Sequence, residues 1–218
     1  MRELDDIILE MAKLFPNARC ELNYGTPFQL AVAVMLSAQT TDARVNIVTK
    51  KLFKKYPDCY LMAKADINDI KQLIKSIGLT NNKANNLSKM SKELIEYYDG
   101  IVPNTRSKLV KLSGIGVKSA NVILAEVFKI PAVPVDTHVT RVSKRLKFCK
   151  ENDDVLAIEK KLKRKISRNL WIQSHHLIIF FGRYQCTAKN PKCGTCPFTS
   201  RCRYYKKNFW NVQKNIIH

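Results

Sequence analysis

Glycine and proline are scarce in this sequence, at 7 and 8 residues among 218. Because turn-rich β folds place both residues at their tight turns, this scarcity disfavours them and indicates a helical chain. Long hydrophobic runs are missing as well. The longest, Leu30–Leu36, is far shorter than the roughly 20 apolar residues that cross a bilayer, and the first residues contain no hydrophobic signal region. We therefore expect an all-α, soluble, intracellular protein with no membrane partner.

Acidic residues are also few. Aspartate and glutamate total 18 against 38 lysines and arginines, which gives a net charge of +20 and a pI near 9.8. Such an excess of positive charge points to a polyanionic partner, and DNA is the simplest candidate. A lysine-rich proteome produces the same composition, so charge alone leaves both interpretations open.

Cysteine is better represented, with seven residues. In a reducing compartment, cysteines are expected to be free thiols or metal ligands rather than disulfides. Four of them have the spacing C-x6-C-x2-C-x5-C; these are Cys186, Cys193, Cys196 and Cys202. Four thiolates on a compact loop can surround a metal, and both zinc and a [4Fe–4S] cluster accept this ligand type. The spacing lacks the paired C-x2-C arrangement common for zinc, which favours the cluster.

A glycine hairpin lies at the centre of the sequence. The segment Ser113-Gly114-Ile115-Gly116 separates a short helix that ends near Leu112 from a second helix whose apolar residues recur between Val117 and Phe128. Glycines permit positive φ and the close approach of a bulky partner to the main chain, and the second helix begins with unpaired N–H groups. The pattern predicts an anion site, suited to a nucleic-acid phosphate.

Lys118 occupies the first turn of that second helix, and a lysine amine can act as a nucleophile toward carbon. Asp136 follows after a helical segment and an extended, proline-containing return, whose lengths permit the two side chains to meet. A lysine in a first turn can equally be a solvated surface residue, and Asp136 is well suited to cap the next helix. Together, beside a phosphate site, they form a candidate nucleophile and base.

These residues carry a resemblance to a known family. The motif L-S-G-I-G-V-K-S-A-N followed by V-D-T-H resembles the helix-hairpin-helix DNA glycosylases, and within them the endonuclease III branch. The resemblance implies that Lys118 forms a covalent imine with the DNA sugar and that Asp136 assists. It also implies DNA contacts at Gly114, Gly116 and Val117. Relatives often carry arginine at the position of Val117, so we expect one phosphate contact to be lost there.

The same resemblance implies the architecture and the cofactor. It predicts a two-lobed all-α fold with a DNA groove between the lobes: a helical barrel domain at residues 22–132, and a discontinuous second domain formed by residues 1–21 plus 133–218. The four clustered cysteines match the family's C-terminal [4Fe–4S] loop, whose role we expect to be structural, although a redox use stays open. Lys189 and Lys192 in the first cysteine loop are expected to bind phosphates.

Two further residues are expected to contact DNA. The segment L-S-A-Q-T-T-D matches a family segment whose glutamine, here Gln39, enters the gap left by an extruded base. Leu79 lies at the tip of a second predicted helix-turn-helix, where an exposed leucine on a basic surface can wedge between bases. Packing under a loop is the alternative for Leu79, but the matching family leucine is a wedge.

The sequence therefore predicts a bifunctional DNA glycosylase and abasic-site lyase that removes oxidised pyrimidines and nicks the strand by β-elimination. Its partner is expected to be double-stranded DNA with a damaged pyrimidine or an abasic site, bound by a monomer that is associated with the nucleoid if the source is bacterial. An adenine-removing relative has the same cysteine spacing, but it lacks the lysine nucleophile and usually has an additional C-terminal domain. A non-catalytic DNA-binding module with a zinc site is the alternative from another class.

Overall fold

The computed structural model describes the backbone of residues 1–214 and the side chains of residues 1–209. All regular structure in this part of the chain is helical, with no strand, so the all-α prediction is confirmed. No helix in the described region is both long and apolar enough to cross a membrane. Residues 215–218, the end of the second predicted domain, lie outside the described residues.

The chain divides into two compact units. The central unit is Cys20–Ala132, and the terminal unit joins Met1–Arg19 to the chain from Val133 onward. Each unit has a hydrophobic core of its own.

The central unit consists of helices joined by short turns. They are α2 (Pro27–Leu36), α3 (Asp42–Lys55), α4 (Cys59–Ala63), α5 (Ile67–Leu73), α6 (Thr80–Tyr98), α7 (Arg106–Leu109) and α8 (Val117–Glu126). Almost every side chain of α2 is buried, because its sequence contains no charged residue. The backbone N–H of Gln29 donates to the Thr26 hydroxyl at 3.2 Å, and Pro27 occupies the first helical position, so both residues define where α2 begins.

Helix α6 starts earlier than its sequence pattern predicts. The apolar spacing predicts a helix over Lys83–Tyr98, whereas the structure begins the helix at Thr80. Leu79 takes the left-handed conformation, with φ at 63°, and its carbonyl accepts the first hydrogen bond of the helix from the N–H of Lys83 at 3.0 Å. The asparagine-rich first turn, which predicts a loop by composition, is therefore helical.

The terminal unit gathers helices from both ends of the chain. They are α1 (Asp5–Leu14), α9 (Thr137–Arg145), α10 (Val155–Lys165), α11 (Trp171–Phe180) and α12 (Arg203–Lys214). Asp5 joins the two ends, because its carboxylate accepts hydrogen bonds from the Ser167 N–H at 2.8 Å and the Ser167 hydroxyl at 2.6 Å. The N-terminal helix is thereby fastened to a residue 162 positions away in sequence.

Helix α11 ends as an α-helix at Phe180. It changes at Phe181 into one π-helical turn, Phe181–Gln185, which closes with a hydrogen bond from the Cys186 N–H to the Phe181 carbonyl at 2.6 Å. Such turns widen a helix by one residue. This one leads directly into the cysteine-rich segment.

Candidate functional site

The hairpin between α7 and α8 has two glycines with different functions. Gly114 has a φ of +78°, and a Cβ there would lie 2.8 Å from the Met35 methyl and 3.1 Å from the Asn86 Cβ. Gly116 has a φ of −87°, so the positive φ expected of both glycines occurs only at Gly114. A Cβ on Gly116 would meet nothing within 4 Å. Gly114 is thus required by the fold, whereas Gly116 keeps the start of α8 open.

The start of α8 presents its backbone and two side chains to solvent. Gly116 is the N-cap residue and makes no side-chain cap, so the first N–H groups of the helix have no intrahelical partner. Val117 is 37% exposed, and Lys118 beside it is also exposed. This geometry fits an anion bound by the main-chain N–H groups at the start of α8. Lys118 is the second residue of the same helix.

Glu93 holds the hairpin from α6, and the sequence patterns did not point to it. Its carboxylate accepts the Ser113 N–H and the Ser113 hydroxyl, each at 2.7 Å. The pairing spans 20 residues, so no local motif reveals it. The sequence gives one indication of this contact, which is the serine beside the glycines. Its hydroxyl is half-buried in the folded protein and so needs a hydrogen-bond acceptor.

Gln39 and Leu79 share an unusual backbone conformation. Both are exposed and have positive φ, at 59° and 63°, in the left-handed region that side chains other than glycine rarely adopt. Leu79 is 54% exposed, so it does not pack under a loop. Left-handed residues are often found at functional sites, where surrounding contacts hold them in place.

Asp136 caps α9, and its other neighbours are basic. Its carboxylate accepts the Val139 N–H at 2.8 Å, which is the capping role that its sequence position allows. Burial lowers the pKa of His138, and the cationic Arg141 adds to this effect, while Asp136 opposes it. The Arg141 guanidinium lies 3.2 Å from the His138 Nδ1 and donates to the Gly182 carbonyl at 2.7 Å. Asp136 belongs to the terminal unit and Lys118 to the central unit.

The four clustered cysteines form a desolvated group of free thiols. Cys186 and Cys202 are buried, and Cys193 and Cys196 are partly so. Burial raises the pKa of Cys196 to about 11, and the other three thiols add to this effect. Binding of a metal centre displaces such protons, since the thiolate is the ligand. Among the described residues, no three cysteine, histidine or carboxylate side chains converge tightly enough to enclose a single ion.

Hydrogen-bond donors around the sulfurs fit an anionic cluster of thiolates. Arg145, the last residue of α9, donates to the Cys186 Sγ at 3.3 Å, and the Tyr205 N–H donates to the Cys202 Sγ at 3.4 Å. Both donors would stabilise negative charge on a coordinated sulfur. The donor set, four thiols with N–H groups directed at two of them, therefore fits an iron–sulfur cluster.

The loop after Cys186 is held by protein contacts as well. Arg145 also donates to the carbonyls of Thr187 and Ala188, at 2.8 and 3.1 Å, and the Gln185 amide donates to the Lys192 carbonyl at 2.6 Å. Lys189 and Lys192 are exposed on this loop. Arg145 and Gln185 therefore fix the backbone that carries these two lysines.

Comparison with known proteins identifies the family. Residues 32–168 match the HhH-GPD superfamily of base excision DNA repair proteins, and residues 186–202 match the iron-sulfur binding domain of endonuclease III. Endonuclease III of Bacillus subtilis (strain 168) is 50% identical over 209 residues, which cover 95% of this chain and 94% of the relative.

Solved structures agree with this match. A structure described as a trapped endonuclease III–DNA covalent intermediate is 50% identical to this chain and superposes with a TM-score of 0.90. The match covers 92% of this chain and 94% of the chain in that structure. A non-covalent endonuclease III–DNA complex has the same identity and TM-score and covers 93% and 94%. The helical fold, the hairpin and the thiol segment all lie within these matches. The chain therefore belongs to the endonuclease III family, the base-excision DNA glycosylases of the HhH-GPD superfamily that carry a [4Fe–4S] cluster.

Proposed function

We propose that this protein is a bifunctional DNA glycosylase and abasic-site lyase that removes oxidised or ring-saturated pyrimidines from double-stranded DNA. The observation that carries the proposal is the exposed Lys118 in the first turn of α8, next to the open main chain of Gly116. A phosphate bound at that helix start brings a DNA sugar within reach of an amine. The trapped covalent intermediate described for a protein 50% identical to this chain supports a nucleophilic mechanism.

The reaction proceeds through a covalent imine. The lone pair of the Lys118 Nζ forms a bond to the anomeric carbon of the sugar, and the bond between that carbon and the base breaks, with its electron pair leaving on the base. Loss of a proton from nitrogen and opening of the sugar ring then give the imine. This group withdraws electrons, so a proton leaves the neighbouring carbon and the 3′ phosphate is expelled by β-elimination.

Asp136 moves the proton and stabilises positive charge on the sugar during this sequence. General acid–base assistance of this kind contributes about 10²- to 10⁴-fold to a rate. Gln39 and Leu79 fill the space that the extruded base leaves, which stabilises a state that costs a few kcal/mol to reach, and least for an already weakened base pair. Gly114, Gly116, Val117, Lys189 and Lys192 contact the backbone of the duplex.

Cys186, Cys193, Cys196 and Cys202 would hold the cluster. When bound, it would cross-link this segment, in addition to the packing of Phe198 in the core of the terminal unit. The protein acts as a monomer inside the cell, on chromosomal DNA.

Borohydride trapping tests the nucleophile. The protein is incubated with a duplex that contains one abasic site, in the presence of borohydride, and covalent adducts are separated on a denaturing gel. We expect an adduct with the wild type and with Lys111→Ala, a control that removes another exposed lysine near the hairpin, and none with Lys118→Ala. Absence of the wild-type adduct would contradict the lyase mechanism and favour a monofunctional glycosylase or a binding module.

Asp136→Asn separates the capping role of this residue from its chemical role. Asparagine caps a helix as well as aspartate does, so α9 should persist. Base removal from a duplex with one oxidised pyrimidine should fall by about 100-fold or more, because the proton-transferring group is lost. An unchanged rate would show that Asp136 is only a cap.

A further inference from the structure

Lys83 is a buried cation without a charged partner among the described residues. It is only 4% exposed, and burial lowers its pKa. Burying an ammonium costs free energy unless each of its three protons is hydrogen-bonded. The groups that accept these hydrogen bonds are therefore the part of the structure that Lys83 stabilises.

All three acceptors belong to the end of α2 and the turn that follows it. The Lys83 Nζ donates to the Leu36 carbonyl at 2.9 Å, to the Ala38 carbonyl at 2.7 Å and to the Thr40 hydroxyl at 3.4 Å. The carbonyls at the C-terminal end of a helix lack intrahelical partners and carry partial negative charge, which matches an ammonium. Lys83 therefore caps α2 from another helix.

The residue enclosed by these acceptors is Gln39. Ala38 and Thr40 flank it directly, and its φ of 59° exists against a local preference of about 1–2 kcal/mol for the right-handed form. Fixing the carbonyl before Gln39 and the hydroxyl after it constrains the turn on both sides. The backbone that presents the exposed Gln39 side chain is thereby constrained.

The same lysine also contacts the turn of Leu79, the second residue expected to enter the DNA. Its N–H donates to the Leu79 carbonyl at 3.0 Å, in the first turn of α6. One residue thus contacts, through its side chain, the turn that presents Gln39 and, through its backbone, the turn that presents Leu79. Lys83 is therefore the residue that connects the two turns.

We infer that Lys83 is a positioning residue that holds Gln39 and Leu79 at a fixed separation for insertion into the space left by an extruded base. This inference rests on the proposed function of those two residues. It assigns to Lys83 no contact with DNA. Its effect should appear only with DNA that has a gap to fill, and only while Gln39 is present.

The test is a double-mutant cycle on DNA affinity. Lys83→Met keeps the length of the side chain and removes its donors. Affinities of the wild type, Lys83→Met, Gln39→Ala and the double variant are measured for a duplex with a stable abasic-site analogue and for the undamaged duplex. Lys92→Met is the matched control, because it removes an exposed lysine from the same helix.

We expect Lys83→Met to weaken binding of the abasic-site duplex by about tenfold and binding of the undamaged duplex less than twofold. In the Gln39→Ala background the same substitution should weaken binding less than twofold, because coupled residues are not additive. Lys92→Met should match the wild type. Equal losses on both duplexes, or the full loss in the Gln39→Ala background, would overturn the inference.

Thermal unfolding and trapping complete the test. If Lys83→Met does not fold, Lys83→Arg enters the same cycle, since it keeps the charge but its planar group cannot reproduce three converging donors. Borohydride trapping separates the two proposals: a wild type that forms no adduct contradicts the proposed function, whereas normal adduct formation with an additive cycle contradicts only the inference about Lys83.

Discussion

Glu93 and Ser113 form a two-point contact between α6 and the hairpin, with the carboxylate accepting both the N–H and the hydroxyl of the serine at 2.7 Å. The side chain of Glu93 is only 16% exposed, so these hydrogen bonds are poorly replaced by water. Lys89 lies 4.0 Å from the same carboxylate and is too exposed to contribute much. The hairpin is thus anchored by one carboxylate on a neighbouring helix.

Removal of that anchor should destabilise the central unit. Hydrogen bonds to a charged group contribute about 1.5–3 kcal/mol each, so Glu93→Ala should lower the free energy of unfolding by about that amount or more. Ser113→Ala loses only the hydroxyl bond and should have a smaller effect. Urea unfolding measures both, and a double variant no less stable than Glu93→Ala alone would show that the two side chains act as one unit. Strict additivity would contradict this.

Alanine should affect protein stability differently at the two hairpin glycines. Gly114→Ala places a Cβ 2.8 Å from the Met35 methyl at a φ of +78°, so we expect a loss of at least ~1–2 kcal/mol in unfolding free energy. Gly116→Ala has free space and an ordinary φ, and its stability should stay within about 0.5 kcal/mol of the wild type.

DNA affinity completes the comparison between the glycines. The proposed function places a phosphate at the start of α8. The methyl group of Gly116→Ala would obstruct that phosphate, so affinity for duplex DNA should decrease while the protein remains folded. Fluorescence anisotropy with a labelled duplex measures this. Unchanged affinity would place the phosphate elsewhere.

Val117→Arg should restore a phosphate contact. Val117 is exposed in the first turn of α8, so an arginine fits there without repacking the core. Each added phosphate contact steepens the dependence of log affinity on log salt concentration by about 0.9. Anisotropy titrations between low and moderate salt should show this steeper slope and tighter binding at low salt. An unchanged slope would mean that no phosphate lies near residue 117.

Arg145 should control retention of the cluster. Its guanidinium bonds to the Cys186 sulfur and to two carbonyls of the following loop, and it stacks on the Tyr204 ring at 4.0 Å from the ring centroid. Arg145→Met loses these donors, so we expect faster loss of visible cluster absorbance in the presence of a chelator. Lys150→Met, an exposed substitution of the same kind nearby in sequence, is the control and should bleach at the wild-type rate.

Asp5 should make the free energy of unfolding decrease as the pH becomes acidic. Burial raises the pKa of its carboxyl, but hydrogen bonds from Ser167 and the Arg2 N–H outweigh burial and hold the pKa below its usual value of 3.8. The unfolded chain therefore binds a proton more readily than the folded one, and the stabilisation is present above pH ~5 and lost as pH falls through the folded pKa. Asp5→Asn should be less stable at pH 7, with a difference from the wild type that shrinks below pH 4 in urea unfolding. A constant difference would contradict the sign.

The local sequence was sufficient for the features whose physical cause is local. The periodic apolar residues and the scarcity of glycine and proline predicted an all-helical chain, and the structure confirms it. The hairpin motif and the cysteine spacing predicted the family and its cofactor, and the comparisons confirm both. These signals are short because the backbone turn, the helix start and the thiol ligands each need particular residue types within a few positions.

Only the tertiary structure revealed the contacts that hold those segments. Lys83 reaches carbonyls more than 40 residues away, Glu93 reaches Ser113 across 20 residues, and Arg145 reaches the loop after Cys186 across more than 40. A lysine, a glutamate and an arginine on helices look like solvated surface residues in sequence. In the folded protein each of them makes specific contacts, because burial reduces access to water and the charged group bonds instead to polar atoms of distant segments.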